Sequence, residues 1–150
     1  MDSETHVRQL GKIIGNLQSL EVALRAAIMQ LDETVTSSLK IGALKVGDKV
    51  PEDPFTNYDS LGPTISKFNA LVPNSSRIDR NPLVTLRDAL AHGKPLSDKK
   101  EFPLTLIKFS KPDKAGQVTV EGIYLMTVEW FQEQIDLVQF ALKKVGPYCG

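Results

Sequence analysis

Arg87, Asp88 and His92 stand in one short run and bring together a guanidinium, a carboxylate and an imidazole. Imidazole titrates near neutrality, so a histidine can remove a proton or donate one. Asp88 and His92 are four residues apart, which places them on one face of a helix. A carboxylate there orients the imidazole and favours its charged form. Arg87 lies about 140° round the helix from His92, close enough for its long side chain to reach a cleft lined by that arc. The same residues would equally form a solvated charged face, because a histidine near a helix C-terminus gains ~0.3–1 kcal/mol from the helix dipole. His6, the other histidine, has no chemical partner nearby and reads as an ordinary surface residue close to a fraying terminus.

The elements that must position this run are mostly helical. Val7, Leu10, Ile14, Leu17, Leu20, Leu24, Ile28 and Leu31 recur at steps of three and four, one apolar stripe on a helix over residues 4–31. Gly11 and Gly15 on that helix would let another helix approach closely. A weaker pattern suggests a short helix over 33–45, broken by Pro51 and Pro54. Leu61, Ile65, Phe68 and Val72 predict a helix over 60–72, with Pro63 in its first turn. The motif helix is expected at 82–92. Asn81 is its N-cap, Pro82 its first residue, and Gly93 a left-handed stop reinforced by Pro95.

Two β-rich runs follow, Leu104–Ser110 and Val118–Leu125, joined by a linker suited to a hairpin. Thr127 then caps a final helix whose Val128, Phe131, Ile135, Val138, Leu142 and Val145 form its stripe, stopped by Gly146 and Pro147. Residues 1–150 therefore read as one mainly α domain, an antiparallel helical bundle with a β-hairpin inserted before the last helix.

Composition narrows the function classes. The 150 residues carry 18 basic and 18 acidic side chains, so no strong overall charge draws the chain to nucleic acid. Residues 77–114 are locally basic, with nine Arg and Lys against five Asp and Glu. No apolar run is long enough for a membrane span, and the acidic, polar N-terminus does not resemble a signal or transit peptide. Cys149 is the one cysteine, which excludes an internal disulfide and a cysteine-based zinc site, and a reducing cytoplasm is expected. The motifs of P-loop and nucleophilic-serine enzymes are absent.

The run Leu86-Arg87-Asp88-Ala89-Leu90-Ala91-His92-Gly93 resembles the signature of the HEPN superfamily: arginine, a polar residue, then histidine after a short gap. The run Ser19-Leu20-Glu21-Val22-Ala23-Leu24 is similar to the "S-L-E-x-x-L" run of the first helix in related domains, and a hairpin before the last helix is a familiar decoration there. The resemblance implies a metal-independent endoribonuclease needing no cofactor, with two subunits facing their motif helices to form one composite cleft. In such a homodimer the two His92 side chains would divide the acid and base roles. Arg87 would hold the phosphate, and Asp88 would orient His92 or Arg87. Products of the family carry a 2′,3′-cyclic phosphate.

Lys94 is a candidate contact for the RNA backbone, as are Lys99 and Lys100, although a solvated basic loop is the plainer reading of each. Glu21 is a weaker candidate for a polar group in the cleft, or else a surface acid on the first helix. Lys94 stands where one HEPN subgroup, paired with a nucleotidyltransferase antitoxin, has a tyrosine, so control by modification of that tyrosine is not supported. A toxin or defence effector, with an antitoxin as partner, is one biological setting the resemblance implies. Two other readings stand beside the nuclease: a non-catalytic HEPN domain that binds RNA or nucleotides, and a dimeric protein-interaction module.

Overall fold

A computed structural model of the chain describes residues 1–36 and 39–150. Among these residues the regular structure is mainly helical, with four α-helices and one three-stranded antiparallel sheet. Helix α1 spans Ser3–Leu31. Its start is capped by Asp2, whose carboxylate accepts from the Thr5 N–H at 2.7 Å. That bond satisfies one of the helix's orphan donors and holds the Asp2 carboxyl below its ordinary pKa.

The buried stripe of α1 is offset by one residue from the expected one in its first half. Val7 is 66% exposed and Ile14 42%, whereas His6 and Ile13 are buried. One residue turns a helix by about 100°, and adjacent isoleucines at 13 and 14 leave the choice of face to the packing. Leu17, Leu20, Leu24 and Ile28 are buried as expected. Nothing lies within 4 Å of a Cβ built on Gly11 or Gly15, so no described residue uses the close approach they permit.

The contacts group the described residues into two units: 1–18 with 79–140, and 19–78 with 141–150. Helix α1 contributes to both, as does helix α4, Val128–Val145.

In the first unit His6 corrects the surface assignment. It is 6% exposed, its ring 5.1 Å from Phe102 and edge-on to Phe131 at 5.4 Å. Its aromatic neighbours come from distant parts of the chain, which is why local sequence does not show them. Among the described residues its Nδ1 has no hydrogen-bond partner. Burial disfavours the imidazolium and pushes the pKa below 6.5.

The expected hairpin is present as β2, Thr105–Phe109, and β3, Val120–Leu125. A third strand, β1 at Lys94–Leu96, pairs antiparallel with the other side of β2. It lies where the sequence suggested only a helix stop and a loop. Pro95 is tolerated there because β1 is an edge strand. Asp113 closes the hairpin loop, its Oδ1 accepting from the N–H groups of Ala115 and Gln117 at 2.9 Å each. Gly116 supplies the left-handed residue, φ 77°.

Alternation then gives the sheet two unlike faces. Leu106 is buried on one; Leu96, Val120, Ile123 and Leu125 are 49–66% exposed on the other. Helix α4 is capped as expected, Thr127 Oγ1 accepting from the Trp130 N–H at 3.0 Å. It buries Phe131, Ile135 and Val138 within this unit.

In the second unit, helix α2, Leu61–Leu71, buries Leu61, Ile65 and Phe68. Of the helix expected over 33–45, residues 37 and 38 lie outside the described residues; the described remainder holds one 3₁₀ turn, Ile41–Ala43. Side chains close turns here instead: Asp32 accepts from Thr34, and Asp53 from Phe55 and Thr56. Such local bonds compete with helix formation.

Arg25 ties this segment to α1. Its guanidinium, 11% exposed, donates to Pro54 O and Asn57 Oδ1 at 2.7 Å each and to Asp59 O at 2.8 Å. Asn69 brackets Ile78, donating to its carbonyl and accepting from its N–H.

Two outcomes are expected. The unfolded chain takes up the His6 proton near pH 6.5 and the folded chain only at lower pH. The stability from burying neutral imidazole is therefore complete above 6.5 and is lost as the pH falls through the folded value. Replacing His6 with Phe should reduce the difference between urea midpoints measured at pH 7 and pH 5. Arg25→Ala should cost about 2–3 kcal/mol in denaturant unfolding, because charged donors are removed from part-buried carbonyls. It should also speed proteolysis between residues 51 and 60.

Candidate functional site

The motif sits on helix α3, Arg80–His92. It starts two residues earlier than Asn81 and Pro82 suggested. Asp79 holds the N-cap position, without a side-chain capping bond. Pro82 becomes the third helical residue, still within the first turn, where no intrahelical bond is lost.

Leu83, Leu86 and Ala89 form the buried face of α3, and the helix packs on β2. The helix ends at Gly93, but not in the left-handed conformation expected. Its φ is −68° and ψ 160°, and its N–H donates to Ala89 O at 2.7 Å. Glycine is needed there for space. A Cβ would collide with Ala89 O and come within 2.8 Å of Leu106 Cδ1.

Arg87, Asp88 and His92 all lie on the exposed side of α3. Spacing brings Asp88 and His92 to the same side, with Arg87 further round. Among the described residues, no side-chain hydrogen bond or ion pair engages Arg87, Asp88 or His92, so the expected Asp88–His92 bond is not formed within this chain.

Asp88 acts instead on Lys108. The Lys108 ammonium donates to Glu121 Oε1 at 2.6 Å. That bond, with the negative charges of Glu121 and Asp88, raises the Lys108 pKa above 10.5. Lys108 lies outside the motif and carries no local mark of this contact. Strand alternation places it: two residues after Leu106, it shares the sheet face that packs on α3.

The weaker candidates separate. Lys94 is exposed on β1 and pairs with Ile107, so it stands on the sheet face opposite Leu106 and Lys108. Lys99 and Lys100 are exposed in the following loop. Glu21 belongs to the second unit and lies 3.4 Å from the Arg25 guanidinium, already engaged there. Among the described residues no cluster of three or more His, Cys, Asp or Glu side chains is placed to hold a metal ion, and no helix is long and apolar enough to cross a membrane.

The chain matches no family model, and no curated protein or solved structure shows significant similarity to it.

Gly93→Ala should destabilise the fold by about 1–3 kcal/mol, the usual cost of overpacking. Unlike most glycine substitutions at a helix end, the effect should shrink when Leu106 is shortened to Ala in the same chain. A double-mutant cycle in urea measures that coupling.

Proposed function

We propose that this protein is a metal-independent endoribonuclease of the HEPN type, acting as a homodimer. The observation that carries the reading is a guanidinium, a carboxylate and an imidazole on the exposed side of one helix, none of them held by a side-chain hydrogen bond or ion pair among the described residues. Exposed charges of this kind add little to the stability of a fold, so an outside partner can engage them at little cost to it.

Cleavage would proceed by transesterification. A neutral His92 takes the proton from a ribose 2′-hydroxyl, whose oxygen attacks the adjacent phosphorus. The P–O5′ bond breaks, and a protonated histidine delivers its proton to the leaving O5′. The products are a 2′,3′-cyclic phosphate and a 5′-hydroxyl end. One chain offers a single exposed histidine for two proton transfers. A second copy across a two-fold axis would supply the other. Arg87 would stabilise the charge that builds on the phosphoryl oxygens, a task suited to its bidentate fork. Asp88 would orient His92 once the facing helices draw the two together. Activity of this kind suits a toxin or defence effector restrained by an antitoxin.

A second reading has its own observation. Leu96, Val120, Ile123 and Leu125 form an exposed apolar sheet face, as a non-catalytic dimeric interaction module would require.

The test is cleavage of mixed RNA in EDTA by the wild type, Arg87→Ala and His92→Ala. Each substitution should lower the rate by about 100-fold or more, the usual worth of an acid–base group or a charge-stabilising donor. Equal activity in all three proteins would assign the cleavage to a contaminant and leave the interaction module.

A further inference from the structure

Beside the motif residues, in the same unit, α3 borders a second feature. A cavity of about 400 Å³ lies between α3 from Asn81 to Ala89, the end of β3 and the first turns of α4. Its size falls within the range that takes small organic ligands. The floor is apolar, made by Leu86 and Ala89. One wall is aromatic: the Trp130 ring, 6.2 Å from that of Tyr124 and edge-on to Phe131 at 5.3 Å. Those contacts hold a half-buried indole in place. The rim is polar, with Asn81 and Thr85 on α3 and Glu133 and Gln134 on α4. Among the described residues, none of these four side chains is committed to a hydrogen bond, nor is the indole N–H.

The lining contains no cation, and Glu133 puts a carboxylate at the mouth. Such a site repels a phosphate. It suits a flat, uncharged, hydrogen-bonding ring, which can stack on an indole and be met at its edge by amide, hydroxyl and carboxylate groups. This is how unpaired bases are held by proteins. Thr85 precedes His92 by two helical turns, about 10 Å along the axis, the span of roughly three stacked nucleotides.

We infer that this groove is a nucleobase subsite, holding one unstacked base of a single-stranded RNA whose scissile phosphate lies at His92. The inference rests on the nuclease reading and names its substrate as unpaired RNA. It also gives Trp130 a binding role by stacking, distinct from the chemistry at Arg87 and His92.

Trp130 is the chain's one tryptophan, so its fluorescence reports on the groove directly. The probe is a fluorescein-labelled 2′-O-methyl RNA heptamer, which binds but cannot be cleaved, with its anisotropy giving total binding. An unlabelled heptamer and the four free nucleoside monophosphates serve for tryptophan quenching. The expected result is quenching by the heptamer at concentrations where the monophosphates have little effect. Thr85→Tyr, which fills the groove from its exposed rim, should abolish the quenching and weaken binding about 5- to 150-fold, the worth of one stacked base. Trp130→Phe should retain most of the affinity, and Trp130→Ala should lose it.

Binding without quenching, or affinity unchanged in Thr85→Tyr, overturns the subsite, as does the absence of any RNA binding. Quenching as strong with a monophosphate as with the heptamer overturns the assignment to an RNA strand. The nuclease reading fails separately. Cleavage in EDTA that ignores Thr85→Tyr removes the subsite and keeps the enzyme. Quenching without cleavage keeps base recognition and removes the enzyme.

Discussion

The close approach of Gly93 to Leu106 determines where α3 stops and which way the chain leaves it. Any side chain at 93 would press on the Ala89 carbonyl and on Leu106. With a glycine there, the backbone turns at once into the edge strand, and Lys94, Pro95 and Leu96 pair with Ile107, Leu106 and Thr105. Leu106 is thus enclosed by the helix end and its own sheet. Because α3 buries Leu83, Leu86 and Ala89 on that side, Arg87, Asp88 and His92 are turned outward. The space at Gly93 thus lets α3 pass directly into β1, while the buried face of α3 presents the charged run.

The charges around α3 divide into two kinds. The Lys108 ammonium is balanced by two carboxylates, Glu121 through a direct bond and Asp88 through its negative charge. Among the described residues, no side-chain hydrogen bond or ion pair engages Arg87 or His92. Exposed ion pairs contribute little to stability, typically below about 1 kcal/mol, so their absence costs the fold almost nothing. It leaves both groups free to meet charge brought from outside. The aromatic groove beside Trp130 has the opposite character, with an apolar floor and uncommitted polar groups at its mouth. The charged run on α3 and the groove walled by Trp130 of α4 both belong to the first unit.

The interior carries its own tension. His6 occupies a core position in the first turn of α1, packed on Phe102 and Phe131, with no bond at Nδ1 among the described residues. The ring contributes area and edge-to-face contact; the buried nitrogen is costly, and most costly when protonated. In the second unit the balance runs the other way. Arg25 is largely buried, yet its guanidinium donates to the oxygens of Pro54, Asn57 and Asp59, and it ties down a segment with almost no regular structure of its own.

By itself the sequence determined the helical character, the extents of α1, α2 and α4 to within a few residues, the hairpin, and the placing of Arg87, Asp88 and His92 near the end of one helix. These follow from periodicity, caps and breakers, which act over a few residues and are legible locally. Tertiary structure alone decided that His6 is buried while Val7 is not, that Lys94–Leu96 is a strand, and that the Asp88 charge acts on Lys108 with no Asp88–His92 bond among the described residues. It also decided that Glu21 is held by Arg25 and that Trp130 walls a groove. Each depends on partners from remote parts of the chain, and spacing along a sequence carries no record of which distant surfaces meet. The charged run on α3 was visible from its residue types; that no described residue bonds Arg87 or His92 emerged only once the fold had placed the other charges.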